Sequence, residues 1–137
     1  MRYLIDTNIF IRWVIDKYDV SDDVQNLLLD YENQIYISSA SIAEYLHLVQ
    51  NGKVIPEKEL RMRDIFDVIE NVLGFRVKYV AKEHLQTFAK LDLVEGHNDP
   101  NDRLIIAQAL TEKMPLISSD RKFPKYRKMG LELIVSR

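Results

Sequence analysis

The chain contains no cysteine. Disulfides and thiolate metal sites are therefore excluded, and any metal site must be built from oxygen, with imidazole as the one nitrogen alternative. No apolar stretch approaches the roughly 18 residues of a membrane span. The first hydrophobic segment is broken by Asp6 and Arg12. Neither a membrane helix nor a signal peptide is expected, which makes the cytoplasm the default location. A dominant charge is also missing: 19 basic against 21 acidic residues leave a formal net charge of −2, which does not advertise a polyanion-binding protein. The histidines His47, His84 and His97 show no ligand spacing among themselves and read as ordinary surface or boundary residues. With no cysteine and no Ser-His-Asp arrangement, side-chain nucleophiles have little support.

What remains is typical of a soluble globular protein. Hydrophobic residues make up 47% and charged residues 29% of 137 positions, enough for one domain spanning 1–137 around a single core. Residues 2–5, 34–38, 75–80, 115–118 and 131–135 read as strands. Helices are expected over 8–17, from Ser21, from Ser39 or Ser41 to Asn51-Gly52, from Pro56 to Gly74, and over 82–91 and 100–112. This alternation predicts an α/β fold, with a mostly parallel sheet of about five strands and helices on both faces.

On that frame four acids stand out. Asp6 ends the first apolar run and Asp120 a late one, while Glu44 and Asp102 lie near helix starts. Strand C-termini and helix N-termini face the same crevice of an open α/β sheet. Two carboxylates about 5 Å apart at an effective dielectric of about 20 repel by roughly 3 kcal/mol. Four in one crevice would force some to protonate unless a cation neutralised them. A hard ion with oxygen ligands, Mg²⁺ or Mn²⁺, is the expected occupant, and such a site suits in-line attack on a phosphodiester.

Each acid also has a plainer use. Asp6 could cap the helix that follows, and Ser41-Ile42-Ala43-Glu44 has the form of a capping box. Asp99-Pro100-Asn101-Asp102 fits a cap, a first-position proline and an acid favoured by the helix dipole. Asp120 could close a surface turn with Arg121. Thr7, Asn8 and Ser119 are polar neighbours able to orient carboxylates or bound water. The basic run Arg121, Lys122, Lys125, Arg127 and Lys128 encloses Phe123 and Tyr126. It is either a solvated loop or a source of phosphate contacts and a stacking ring beside Asp120. Phe10, Ile11, Trp13 and Val14 are either core or a protein-binding face.

Read together, Leu4-Ile5-Asp6-Thr7-Asn8, Ala43-Glu44, the segment from His97 through Asp99-Pro100-Asn101-Asp102-Arg103 to Ala109, and Leu116-Ile117-Ser118-Ser119-Asp120 resemble the four ordered motifs of PIN domains. Within that superfamily the chain is similar to the toxin component of VapBC toxin–antitoxin pairs. It departs at Asn101, where the third motif often carries an aromatic residue. Alignment on Leu104-Ile105-Ile106-Ala107 favours Asp102 over Asp99 as the third acid, with Asp99 as a cap or supporting group. The resemblance implies a Mg²⁺- or Mn²⁺-dependent endoribonuclease with Asp6, Glu44, Asp102 and Asp120 at its centre, usually dimeric and held in check by a cognate antitoxin. A non-catalytic PIN scaffold is the main alternative. A phospho-receiver domain fits less well, because residues 77–81 end without an acid and Asp120 stands where a lysine would be wanted.

Overall fold

The computed structural model describes the whole chain, Met1–Arg137. Strands β1 (Arg2–Ile5), β2 (Gln34–Ser38), β3 (Arg76–Lys78), β4 (Leu116–Ser118) and β5 (Leu133–Val135) form one sheet in the order β3-β2-β1-β4-β5, every neighbouring pair parallel. Ile5, at the end of β1, stands opposite Ile37 on one side and Ile117 on the other. The helices are α1 (Thr7–Ile15), α2 (Asp22–Leu29), α3 (Ser39–Gln50), α4 (Lys58–Arg61), α5 (Ile65–Asp67), α6 (Lys82–Lys90) and α7 (Pro100–Glu112). None is long and apolar enough to cross a membrane.

Period-two alternation along the strands sorts their side chains into two cores. Tyr3, Ile5, Ile35, Ile37 and Ile117 pack with Ile9 and Phe10 of α1, Val24 and Leu28 of α2, and Ile42 and Tyr45 of α3. Leu4 and Leu116 point the other way and meet Ile105, Ile106 and Ala109 of α7, together with Phe123 and Tyr126. The molecule is thus a three-layer α/β/α domain. Chain order reverses between β1 and β4, and a crevice opens beyond the carboxyl ends of strands at such a switch point. Asp6 follows β1 directly, and Asp120 lies two residues past β4.

Ile11, Trp13 and Val14 rest half-buried on the first core, and Phe10 is fully buried within it. The helix expected from Pro56 to Gly74 is broken. It starts only at Lys58, stops at Arg61, and restarts after Asp64, whose side chain accepts the Phe66 N–H at 2.8 Å. An aspartate that satisfies a backbone donor locally offers the chain an alternative to continuing the helix. Beyond α5 the chain widens into a π-helical turn, Val68–Val72, before Gly74. The edge strand β3 is shorter than 75–80, and β5 starts two residues later than expected.

Lys113 closes α7 in the left-handed region, at φ 56°, with its N–H bonded back to Ala109 and Leu110. An L-residue pays roughly 1–2 kcal/mol there, more than the added unfolded-chain entropy of glycine. Lys113→Gly should therefore stabilise the protein by about 0.5 kcal/mol, and Lys113→Val should destabilise it. Urea denaturation decides the point. A glycine variant less stable than the parent would show that the lysine side chain outweighs its backbone strain.

Candidate metal centre

Asp6 is 2% exposed, because β1 is the central strand and helices cover both of its faces. Its Oδ1 accepts the Ile9 N–H at 2.8 Å, capping α1. Its Oδ2 accepts the Ser118 hydroxyl at 2.5 Å. The capping and site roles of Asp6 are therefore compatible. The Ser118 oxygen accepts the Asp120 N–H at 3.0 Å, so the first acid helps to hold the turn bearing the last. Burial pushes the Asp6 carboxyl up to about 7, against the pull of Ser118 and Ile9, and the nearby charges of Asp102 and Asp120 add to the rise.

Asp102 stands in the first turn of α7, half-buried. Desolvation, then repulsion from Asp99 and Asp120, lifts its carboxyl to about 6, with His97 acting in the opposite direction. His97 is 3% exposed and sets Nε2 at 3.4 Å from Asp102 Oδ2. One potential ligand atom from each of His97, Asp102 and Asp120 lies within 4.8 Å of the others. The surface reading of His97 is thereby overturned. His84 is also buried, bonded to the Ala81 N–H and to Glu112, whereas His47 is exposed.

Glu44 reaches the crevice from α3. The capping-box reading fails, because the cap of α3 is Ser38, whose hydroxyl oxygen accepts the Ala40 N–H. Ser41 lies inside the helix, its hydroxyl 2.9 Å from that of Thr7. Glu44 Oε2 is instead met by the Thr7 hydroxyl at 3.3 Å and by Asn101 Nδ2 at 3.5 Å. Asn101, where the resemblance favours an aromatic ring, thus bridges α7 to Glu44. Asp99 is exposed and accepts the N–H groups of Asn101 and Asp102 through Oδ1, as a cap does. Asn8 is exposed, and it is Ser118, not Ser119, whose hydroxyl links Asp6 to the Asp120 backbone.

The basic run folds as a 3-10 helix, Phe123–Met129, preceded by Arg121 and Lys122 on an exposed turn. Phe123 and Tyr126 are fully buried in the second core, so neither offers a ring for stacking. Their three-residue spacing places both on one side of the 3-10 helix. Lys125, Arg127 and Lys128 line a surface groove of about 920 Å³ with Asp92, Leu93, Val94 and Glu95, and none of the four acids borders it. Arg121 and Lys122 are the sequence neighbours of Asp120.

This donor set fits a hard divalent cation. Asp6 and Asp102 are carboxylic acids whose ionisation is opposed by burial and by neighbouring acids, and a cation reverses that balance. Asp6, Asp102 and Asp120 offer oxygen ligands, and Glu44 is linked to them through Thr7 and Asn101, the sequence neighbours of Asp6 and Asp102. In the absence of metal, the folded state keeps protons on Asp6 and Asp102 that the unfolded chain loses above the ordinary value of 3.8. The stability that these two groups contribute is therefore greatest below that value and is lost as pH rises through about 6 for Asp102 and about 7 for Asp6. Asp6→Asn, which retains an oxygen to cap Ile9, should flatten this decline and exceed the parent in stability at pH ~8. Urea titrations in EDTA across this range provide the check. Parallel pH profiles for the two proteins would remove Asp6 as the titrating group.

The chain matches the PIN domain family over residues 3–129. No curated protein matches it. Among solved structures it is similar to a chain of VapBC2 from Rickettsia felis, crystallised bound to a DNA fragment from its promoter, at 20% identity and TM-score 0.69 with both chains fully covered. A toxin–antitoxin complex from Klebsiella pneumoniae gives 18% identity and TM-score 0.66, covering 97% of this chain and 96% of that one. VapBC-5 from Mycobacterium tuberculosis gives 18% identity and TM-score 0.60, covering 99% and 98%. With the parallel five-stranded sheet and the ordered acids at its carboxyl edge, the family match settles the class: the chain belongs to the PIN domain family.

Proposed function

We propose that the protein is a metal-dependent endoribonuclease, the VapC-like toxin of a cytoplasmic toxin–antitoxin pair. The observation that carries this reading is the convergence of Asp6, Asp102 and Asp120 at one sheet edge, the first two driven toward protonation by burial and by neighbouring carboxylates. Asp6, Glu44, Asp102 and Asp120 would hold Mg²⁺ or Mn²⁺. A bound cation supplies charge neutralisation at a phosphodiester and a lowered pKa for water.

The chain's own residues arrange that chemistry. Ser118 and the Ile9 N–H fix both Asp6 oxygens, and Thr7 and Asn101 steady Glu44. Asp99 spends its oxygen on the α7 N-terminus, which leaves it a supporting role. Arg121 and Lys122 would meet the phosphates nearest the cut. The groove lined by Lys125, Arg127 and Lys128 would take the flanking strand. Local cations of this kind are needed because a net charge of −2 gives no long-range attraction to RNA. A cognate antitoxin and a second copy of the chain are the proposed protein partners. The full-length likeness to chains from toxin–antitoxin complexes supports the first.

Purified protein should cut RNA only with Mg²⁺ or Mn²⁺, stop on addition of EDTA, and leave 5′-phosphate and 3′-hydroxyl ends. Glu44→Gln should keep native thermal stability, since Glu44 caps nothing, while losing at least about a hundredfold in cleavage rate, roughly 2.7 kcal/mol of transition-state stabilisation. Cyclic 2′,3′-phosphate products from metal-free protein would sink the mechanism. A folded wild type that binds Mn²⁺ yet cuts no RNA would favour the non-catalytic scaffold.

A further inference from the structure

His97 connects the acid crevice to the core on one face of the sheet. A tight turn sets its backbone, closed by His97 N–H to the Val94 carbonyl at 3.0 Å with Gly96 at φ +79°. Its ring packs edge-on against Phe123 and Tyr126, with centroids at 5.6 and 5.3 Å. Nδ1 lies 2.6 Å from the Tyr126 hydroxyl, and Nε2 faces Asp102 Oδ2 at 3.4 Å. Ring position, tilt and Nδ1 are therefore fixed by groups outside the four acids, and Nε2 is left to face one of them.

The direction of the hydrogen bonds follows from what lies behind Tyr126. The guanidinium of Arg103 sits beside the phenol oxygen. Arg103 is itself held by the Leu91 carbonyl at 3.0 Å and by the Phe88 ring. A cation there favours the oxygen as acceptor on its own side, and so turns the O–H toward His97 Nδ1. A ring that accepts at Nδ1 carries its proton at Nε2, the nitrogen facing Asp102. Asp102 Oδ2 is then engaged, and Oδ1 has no protein partner among the hydrogen bonds of the site.

We propose that His97 is the positioning residue of Asp102: Tyr126 fixes its tautomer, and its Nε2–H holds Oδ2 so that Oδ1 is presented to the cation. This rests on the reading of the acids as a divalent-cation site. It assigns His97 no ligand bond and gives Tyr126, on the opposite side of the imidazole, a part in metal affinity.

The test is Mn²⁺ affinity, measured by titration on wild type, His97→Leu, His97→Gln and Tyr126→Phe, each with its thermal unfolding curve. Loss of an outer hydrogen-bond partner typically weakens metal binding about 10–100-fold. His97→Leu and Tyr126→Phe should fall in that range, and His97→Gln, which keeps a terminal N–H donor, should recover most of the affinity. Tyr126→Phe preserves ring shape and so remains informative where His97→Leu folds poorly. Wild-type affinity in a folded Tyr126→Phe would reduce the hydroxyl to a packing contact and overturn the proposal. A directly coordinated nitrogen in pulsed EPR of the wild-type Mn²⁺ complex would overturn it by making His97 a ligand. A wild type that binds no Mn²⁺ would remove the cation site itself, and the inference with it.

Discussion

A carboxyl group placed immediately after the central strand of a covered parallel sheet has almost no access to water, and Asp6 occupies that place. Its two oxygens consequently find partners within the protein. Oδ1 ends the search of the α1 N-terminus for an acceptor, and Oδ2 takes the hydroxyl at the end of β4. The adjacent strands β1 and β4, and the turn carrying Asp120, are tied at the point where chain order reverses. The same burial that secures these bonds makes a negative charge on Asp6 unfavourable. The fold thus creates a demand for positive charge at the place where its topology opens a crevice.

The two helical layers contribute differently to that crevice. The layer with α1 and α3 delivers Glu44 and braces it through Thr7. The opposite layer delivers Asp102 on α7 and places His97 and Tyr126 behind it. Asn101 joins the layers by bonding Glu44 from the start of α7. Repulsion from Asp99 and Asp120 raises Asp102 further, and charge on Asp102 and Asp120 in turn opposes the ionisation of Asp6.

Much of this was legible in the sequence because Asp6 and Asp120 each follow a short apolar run, and strand ends share an edge in any parallel α/β sheet. Asp102 was legible from the cap and proline that precede it. Glu44 was ambiguous, since Ser41 offered a competing cap, and only the position of Ser38 at the end of β2 removes the ambiguity. His97 was missed: it lies in a polar loop, and its partner Tyr126 is distant in sequence among lysines and arginines that suggested solvent. The signal available was the spacing of Phe123 and Tyr126, which gives a basic segment one apolar side. The break before Asp64 was hidden because Ile65, Ile69 and Val72 keep a helical period after it, although the five-residue step from Leu60 to Ile65 does not.

If these acids form a cation site, buried protons and the divalent cation compete for the same carboxylates. Calorimetric titration of the folded protein with Mn²⁺ in buffers of different ionisation enthalpy measures that competition directly, because it reports protons released per ion bound. Near pH 6, competition should release on the order of one proton per ion, falling toward zero by about pH 8.5 as Asp6 and Asp102 ionise on their own. Binding with no proton release at either pH would contradict it.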